Sequence, residues 1–368
     1  LVQSTFFNYY NTQRQIDPFD CTSRKKHTQN VLCTSKECQV NAWYNHNEQR
    51  PHKIWPGSVL SMENKAWSLE NTTSLKNKVI IVTGGNTGLG FEAAKVFAKK
   101  NATVVLACRS LERATEAKNK ILAEDRDAII DIMKLDLGNL ASIKAFVQTF
   151  KSKYSRLDIL LNNAGIMTVP YGKTDDGFEK QNGVNHLGHF ALTAQLFDLI
   201  VQTPHSRIVN VSSNAHKMGK MDFDNYLYEH GKYSKIGSYG RSKLSNLLFT
   251  YELARRVEAK HLDVLVLAAH PGVANTELGR YMTKNILVRP LFWMFSKIAS
   301  TPYEGALPEI RACLDETAVS GQYYGPSGKK GSKKQPVVVE SNEVSHNLED
   351  AKKLWTLSEK LTQGIFNV

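Results

Sequence analysis

The sequence has no run of the roughly 18–20 uninterrupted apolar residues that a membrane-crossing helix needs. Its nearest approach, Ile286 to Ala299, gathers Leu291, Phe292, Trp293, Met294 and Phe295 but is cut by Arg289, Pro290 and Lys297. Such a segment reads as a lid over a substrate or as a shallow interfacial helix. The N-terminus lacks the basic-then-apolar order of a signal peptide. Cysteine is scarce, five in 368 residues (Cys21, Cys33, Cys38, Cys108 and Cys313), and no two stand at the C-x-x-C spacing of a structural zinc site. The odd count argues against a disulfide framework. The expectation is a reduced, cytoplasmic protein, with a peripheral place on an intracellular membrane as the alternative. Acidic residues are outnumbered, 35 against 47 Lys and Arg, which leaves a net charge of +12. The basic residues are spread along the chain, so the excess bears on solubility and steering and no nucleic-acid partner is expected. The one dense basic run, Lys329, Lys330, Lys333 and Lys334 among Gly and Ser, reads as a solvated loop.

Residues 1–61 are poor in aliphatic side chains and rich in Asn, Gln, Ser, Thr and Lys. Such a stretch cannot bury enough apolar surface to offset its ordering entropy. It reads as a disordered extension outside the folded domain, with Met62 as the expected native start and the residues before it as upstream sequence read in frame. From Lys76 onward short buried runs alternate with helical stretches. Strands are expected at 78–82, 102–107, 128–135, 157–161, 207–211 and 264–268, with a short last one at 321–324. Helices are expected at 90–100, 111–123, 141–154, 184–201, 239–260 and 349–363. This alternation specifies an α/β class: one doubly wound domain over 62–368, with a mostly parallel sheet of about seven strands and helices on both faces.

After the first strand comes Thr83-Gly84-Gly85-Asn86-Thr87-Gly88-Leu89-Gly90. Gly84 suits a tight strand-to-helix turn and Gly88 a close backbone approach to a pyrophosphate. Gly90 lets the helix pack near the sheet, and the helix N-terminus offers N–H groups to the anion. Asn86, Thr87 and Leu89 complete the loop. Read from Gly84, the spacing is T-G-x-x-x-G-x-G rather than G-x-G-x-x-G, and in this it resembles the short-chain dehydrogenase/reductase family.

About twenty residues on, the second strand ends in Cys108-Arg109-Ser110, without the acidic side chain that would take an adenosine ribose. Arg109 is suited to a 2′-phosphate, so NADP(H) is expected over NAD(H). Asp136 and Leu137 end the third strand and can bracket an adenine. Asn163, Ala164 and Gly165 end the fourth, where small residues admit a cofactor.

Carbonyl reduction needs a proton donor beside a hydride donor. A tyrosine reaches that task through a lysine one helical turn away, which lowers its pKa. Tyr239-Gly-Arg-Ser-Lys243 has the spacing, and Leu244, Leu247, Leu248, Tyr251 and Leu253 give it a helical apolar face. Tyr228 and Lys232 repeat the spacing, but His230 and Gly231 lie between them and their flanks lack helical period. The family's usual, shorter gap from serine to tyrosine suits Tyr228. The 26 positions from Ser213 to Tyr239 suit the retinol-dehydrogenase-like branch, which carries an insertion there. Ser213, at the end of the fifth strand, would donate to the substrate oxygen, with Ser212 as its rival. By resemblance Asn185 completes the set and holds a water that relays protons through Lys243. His186 and His189 beside it read as packing residues, and no metal is expected. After the sixth strand, His270-Pro271-Gly272-Val273-Ala274-Asn275-Thr276 would turn against the nicotinamide, Thr276 bonding its carboxamide or a phosphate, with His270 structural.

The resemblance spans Lys76 to Val368. Within the family it is similar to the branch holding retinol dehydrogenases and the WW-domain-containing oxidoreductase, although no apolar anchor precedes the fold and no WW module is present. It implies NADP(H)-dependent exchange of a carbonyl and an alcohol on a small hydrophobic substrate such as a retinoid, steroid or lipid aldehyde, beneath a lid around 275–300. A catalytically silent nicotinamide-binding scaffold is the alternative. An extended, epimerase-type relative is disfavoured by the glycine spacing. A homo-oligomer and peripheral membrane contact both stay open.

Overall fold

The computed structural model describes residues 67–272, 300–327 and 335–368. The N-terminal extension with Met62, Cys21, Cys33 and Cys38, the segment Ile286–Ala299 with Val273 and Thr276 before it, and the lysine run at 329–334 lie outside the described residues.

Successive apolar residues in a strand point to opposite faces, so a run without polar breaks must be covered on both sides. β1 (Val79–Thr83) is buried along its whole length. Ile80 and Val82 pack into one core, Val79 and Ile81 into the other. The same logic holds for β2 (Thr103–Cys108), β4 (Ile159–Asn162), β5 (Ser206–Val211) and β6 (Val264–Ala269). β3 (Ile129–Lys134) forms one edge, while β7 (Tyr323–Pro326) and β8 (Pro336–Val339) form the other. Among the described residues the sheet has eight strands in the order β3-β2-β1-β4-β5-β6-β7-β8. All neighbours are parallel except β7 and β8. The eighth strand goes beyond the sequence expectation. It is four residues long with proline at its start, too short to leave a periodic trace.

One face is covered by α1 (Gly88–Lys99), α2 (Leu111–Glu124) and α7 (Pro302–Leu314), the other by α3 (Leu140–Lys153), α5 (Gly188–Gln202), α6 (Lys235–Ala259) and α8 (Leu348–Thr362). A short turn, α4 (Lys180–Asn182), precedes α5. α8 locks its face through Trp355, whose ring meets Phe190 edge-on at 5.4 Å, and Phe366 closes the cluster at 5.1 Å from Phe190. Such pairs add about 0.5–1.5 kcal/mol beyond burial.

Two helix starts differ from expectation. The stretch at 184–201 is not one α-helix: Gly183–Leu187 is a π-helical turn that runs into α5. A side chain at Gly188 would press into the Leu137 carbonyl, so glycine lets this turn lie against the end of β3. α6 begins at Lys235, a turn before Tyr239, because the Ser234 hydroxyl accepts from Gly237 N at 3.0 Å and caps it.

β1 has β2 on one side and β4 on the other, so chain direction around it switches and leaves a crevice at the strand ends. Among the described residues no helix is long and apolar enough to cross a membrane.

Candidate active site

The crevice is lined by Gly84, Asn86, Thr87, Gly88 and Leu89 from the first turn, by Asn163, Ala164 and Gly165 after β4, by Tyr239 and Lys243 of α6, and by Pro271 after β6. Gly84 and Gly88 hold φ of +67° and +58°, which glycine adopts without a Cβ penalty. At Gly90 a Cβ would run into Asn163 Nδ2 and stand 2.8 Å from Gly84 O. Asn163 is fixed there by donating to Thr83 O at 2.7 Å. The Thr83 hydroxyl accepts from Asn163 N and Ala164 N, both at 2.9 Å, which joins β1 to the turn after β4. Thr87 makes no side-chain cap bond, so the first N–H groups of α1 are left for an anion. This cradle, bare of side chains at a helix N-terminus, fits a dinucleotide pyrophosphate.

Tyr239 and Lys243 lie one turn apart on α6, both buried. Lys243 Nζ donates to Val211 O at 2.9 Å and sits 5.9 Å from the Tyr239 ring centroid. A Cβ on Gly165 would fall 3.3 Å from Asn185 Oδ1 and 3.6 Å from Lys243 Nζ, so both groups border that glycine. Asn185 stands in the π turn. Its amide donates to Ile166 O at 3.0 Å and to Ser242 Oγ at 2.9 Å, and its Oδ1 accepts from Ile166 N at 2.8 Å.

The electrostatics differ from expectation at the phenol. Burial raises the Tyr239 pKa above its ordinary value and a hydrogen bond with the Ser213 side chain only partly opposes this. Lys243 is itself pushed down to about 8 by burial, with the Glu309 carboxyl of α7 opposing. Sequence spacing gives the i, i+4 relation, but the desolvation that dominates both groups comes from packing. Of the two candidate serines, Ser212 lines the crevice but commits its hydroxyl to Lys243 O at 2.8 Å. Ser213 is outside the lining; its Oγ accepts from Ala215 N at 3.2 Å and its side chain bears on the Tyr239 phenol.

Tyr228 is outside the crevice lining. Its ring carries the Arg241 guanidinium at 4.1 Å. Arg109 is exposed and does not line the crevice, whereas Arg113, in the first turn of α2, does. Arg113 escaped the sequence reading, although its place one turn after Arg109 was a usable signal. Ile166, Met167 and Val211 also line the crevice without having been singled out. Asp136 borders a second depression beside β3 and α3, and its Oδ1 accepts from Gly138 N at 2.9 Å. Leu137 is buried in the core. Gly272 donates its N–H to His270 Nδ1 at 3.1 Å, and the His270 ring packs 5.1 Å from Tyr323. His186 bonds Ser358 at 2.9 Å and His189 bonds Thr83 at 3.0 Å, which ties the π turn to α8 and the start of α5 to β1. Among the described residues no group of three His, Cys, Asp or Glu could hold a metal.

Comparison with known proteins agrees with this architecture. The short chain dehydrogenase family profile matches residues 78–286. Retinol dehydrogenase 14 of Mus musculus is 41% identical over 301 residues, covering 77% of this chain and 86% of that protein. Retinol dehydrogenase 13 of Homo sapiens is 40% identical over 296 residues, covering 78% and 85%. A crystal structure of an uncharacterized Mycobacterium paratuberculosis protein superposes with a TM-score of 0.68 at 33% identity, covering 82% of this chain and 100% of that one. The chain belongs to the short-chain dehydrogenase/reductase family of oxidoreductases, in its retinol-dehydrogenase-like branch.

Proposed function

We propose that this protein is an NADP(H)-dependent oxidoreductase that interconverts a carbonyl and an alcohol on a small hydrophobic substrate, a retinoid, steroid or lipid aldehyde by class. One observation carries the reading: the Tyr239 phenol is buried, bonded to Ser213, one turn from Lys243, and shares a crevice with the glycine cradle. The retinoid within that class is supported by the retinol dehydrogenases the chain is similar to. Ile166 and Met167 in the crevice wall support an apolar substrate.

When bound, the nicotinamide supplies the hydride. The remaining work falls to side chains. Tyr239 gives the proton to the carbonyl oxygen, and Ser213 donates to the same oxygen as charge grows there. Lys243 and Asn185, both beside Gly165, hold the path by which the phenol regains its proton. A phenol held above its ordinary pKa is protonated at neutral pH, which suits the reductive direction. Arg113, with Arg109 preceding the same helix, would meet a 2′-phosphate.

The test is turnover of an aldehyde, retinoid, steroid and quinone panel with NADPH and NADH. Tyr239→Phe should lower turnover by about 10²–10⁴-fold, the share that general acid catalysis supplies, with NADPH affinity nearly unchanged. Substantial residual activity in that variant would remove Tyr239 from the mechanism. NADPH binding without turnover of any substrate would favour the silent scaffold.

A further inference from the structure

Glu179 is fully buried, and five donors converge on its carboxylate. Oε2 accepts from Asn182 N at 2.9 Å, Asn182 Nδ2 at 2.8 Å and Ser238 Oγ at 2.7 Å. Oε1 accepts from Gln181 N and from the Tyr233 hydroxyl, each at 2.9 Å. The charge that Glu179 sets among these groups raises the tyrosine at 233, after burial, above its ordinary range.

These donors come from separate segments behind the crevice lining. Ser238 immediately precedes Tyr239. Asn182 leads directly into the π turn that carries Asn185. Tyr233 belongs to the insertion between Ser213 and α6. Gln181 extends the connection, since its side chain accepts from Thr168 N at 2.7 Å and donates to Lys235 O at 2.9 Å. The same two elements are stitched a second time nearer the crevice. Asn185 Nδ2 donates to Ser242 Oγ, which donates to Tyr239 O at 2.8 Å.

We propose that Glu179 is a positioning residue for the reaction: its two oxygens clamp the start of α6 to the Asn185 turn and so set where the Tyr239 phenol stands. The inference rests on the functional reading above. A buried carboxylate that gathers donors from three segments fixes their relative place better than apolar contact does, because each lost bond leaves a buried donor unsatisfied. Gln at this position keeps the shape but turns one oxygen into a donor. Whichever way it faces, the amide then opposes either Gln181 N or Asn182 N.

The experiment measures single-turnover oxidation of NADPH with a substrate of the panel. In Glu179→Gln the rate falls at least about tenfold and the isotope effect with deuterated NADPH rises, while NADPH affinity stays within threefold of wild type. In a Tyr239→Phe background the same substitution changes the residual rate less than twofold, because its effect runs through the phenol. A wild-type rate in Glu179→Gln, or an equal loss in both backgrounds, overturns the proposal. If Glu179→Gln fails to fold, Ser238→Ala removes the bond to Glu179 beside Tyr239, with the longer one from Asn182 Nδ2, and is read in the same way. If wild type reduces nothing, the functional reading falls. NMR of tyrosine labelled with ¹³C at Cζ then still reads the placement: the Tyr239 signal moves in Glu179→Gln if the clamp sets it, and its staying put refutes the clamp.

Discussion

An ammonium taken out of water must find compensation, and Lys243, only 4% exposed, finds it in the Val211 carbonyl, with the buried Glu309 carboxyl opposing the fall of its pKa. Burial still wins and brings its pKa to about 8. The sign follows: below that value Lys243 is charged, and above it the charge is lost. Reductive kcat at saturating NADPH should therefore decline as pH rises through about 8. Burial pushes the Glu309 carboxyl up to about 8, so it gains its charge over the same pH range. Glu309→Gln removes the group that opposes the fall of the Lys243 pKa, so the falling limb should move to lower pH, and an unmoved limb would refute the link. The Tyr239 and Lys243 pair was legible in the sequence because i, i+4 spacing on an apolar helix is local. Glu309 was not. Its partner is 66 positions away in the sequence, and a glutamate in a helix reads as solvated until α7 is seen packed against the sheet, with Glu309 only 1% exposed.

At the scale of elements, the strands that carry the crevice are pinned at their far ends by Asp158. Its Oδ2 accepts from Val79 N at 2.9 Å and from Arg156 Nε at 2.8 Å, and Lys78 pairs with its Oδ1 at 3.0 Å. Burial pushes this carboxyl up, but Arg156, the Val79 N–H and Lys78 outweigh it and leave the pKa below its usual value of 3.8. A depressed acid stabilises the fold above its unfolded pKa and ceases to do so as pH falls through the folded one. Asp158→Asn should cost about 1–2 kcal/mol at pH 7, because the Val79 N–H loses a charged acceptor while Arg156 and Lys78, both more than a third exposed, are screened by solvent. In urea titrations the gap to wild type should narrow as pH drops below 3.8. A gap independent of pH would mean that shape rather than charge is responsible. Element by element, the buried strands and amphipathic helices were readable from period alone. The π turn was not, because Gly183–Leu187 follows the apolar period of the helix it opens, and its extra residue per turn is imposed by packing at Gly188. α7 was hidden by Pro308 inside it, a residue that sequence reasoning takes as a stop.

For the whole molecule, the crevice joins the ends of β1, β4 and β6, with α1 and α6 supplying its walls, so a ligand there bonds to elements far apart in sequence. A ligand that binds only the folded chain stabilises all of it by RT ln(1 + [L]/Kd), about 2.7 kcal/mol at a hundredfold excess over Kd. NADPH should therefore raise the melting temperature of the entire domain in a single transition. NADH at equal concentration should raise it less, because it has no 2′-phosphate for the arginines at the start of α2. Arg113→Ala should erase most of that difference through a loss of about 1.5–3 kcal/mol, the worth of hydrogen bonds to a charged group. Arg109, exposed and outside the crevice lining, should contribute less. The sequence pointed to a basic side chain at this corner, but the choice between neighbours one turn apart depends on how α2 is rolled against the sheet. Ala114, Ala117 and Ile121 set that roll by turning inward, with Arg113 half-buried beside them. If Arg109→Ala abolished the NADPH preference and Arg113→Ala left it intact, α2 would have to turn on binding and the assignment would pass to Arg109.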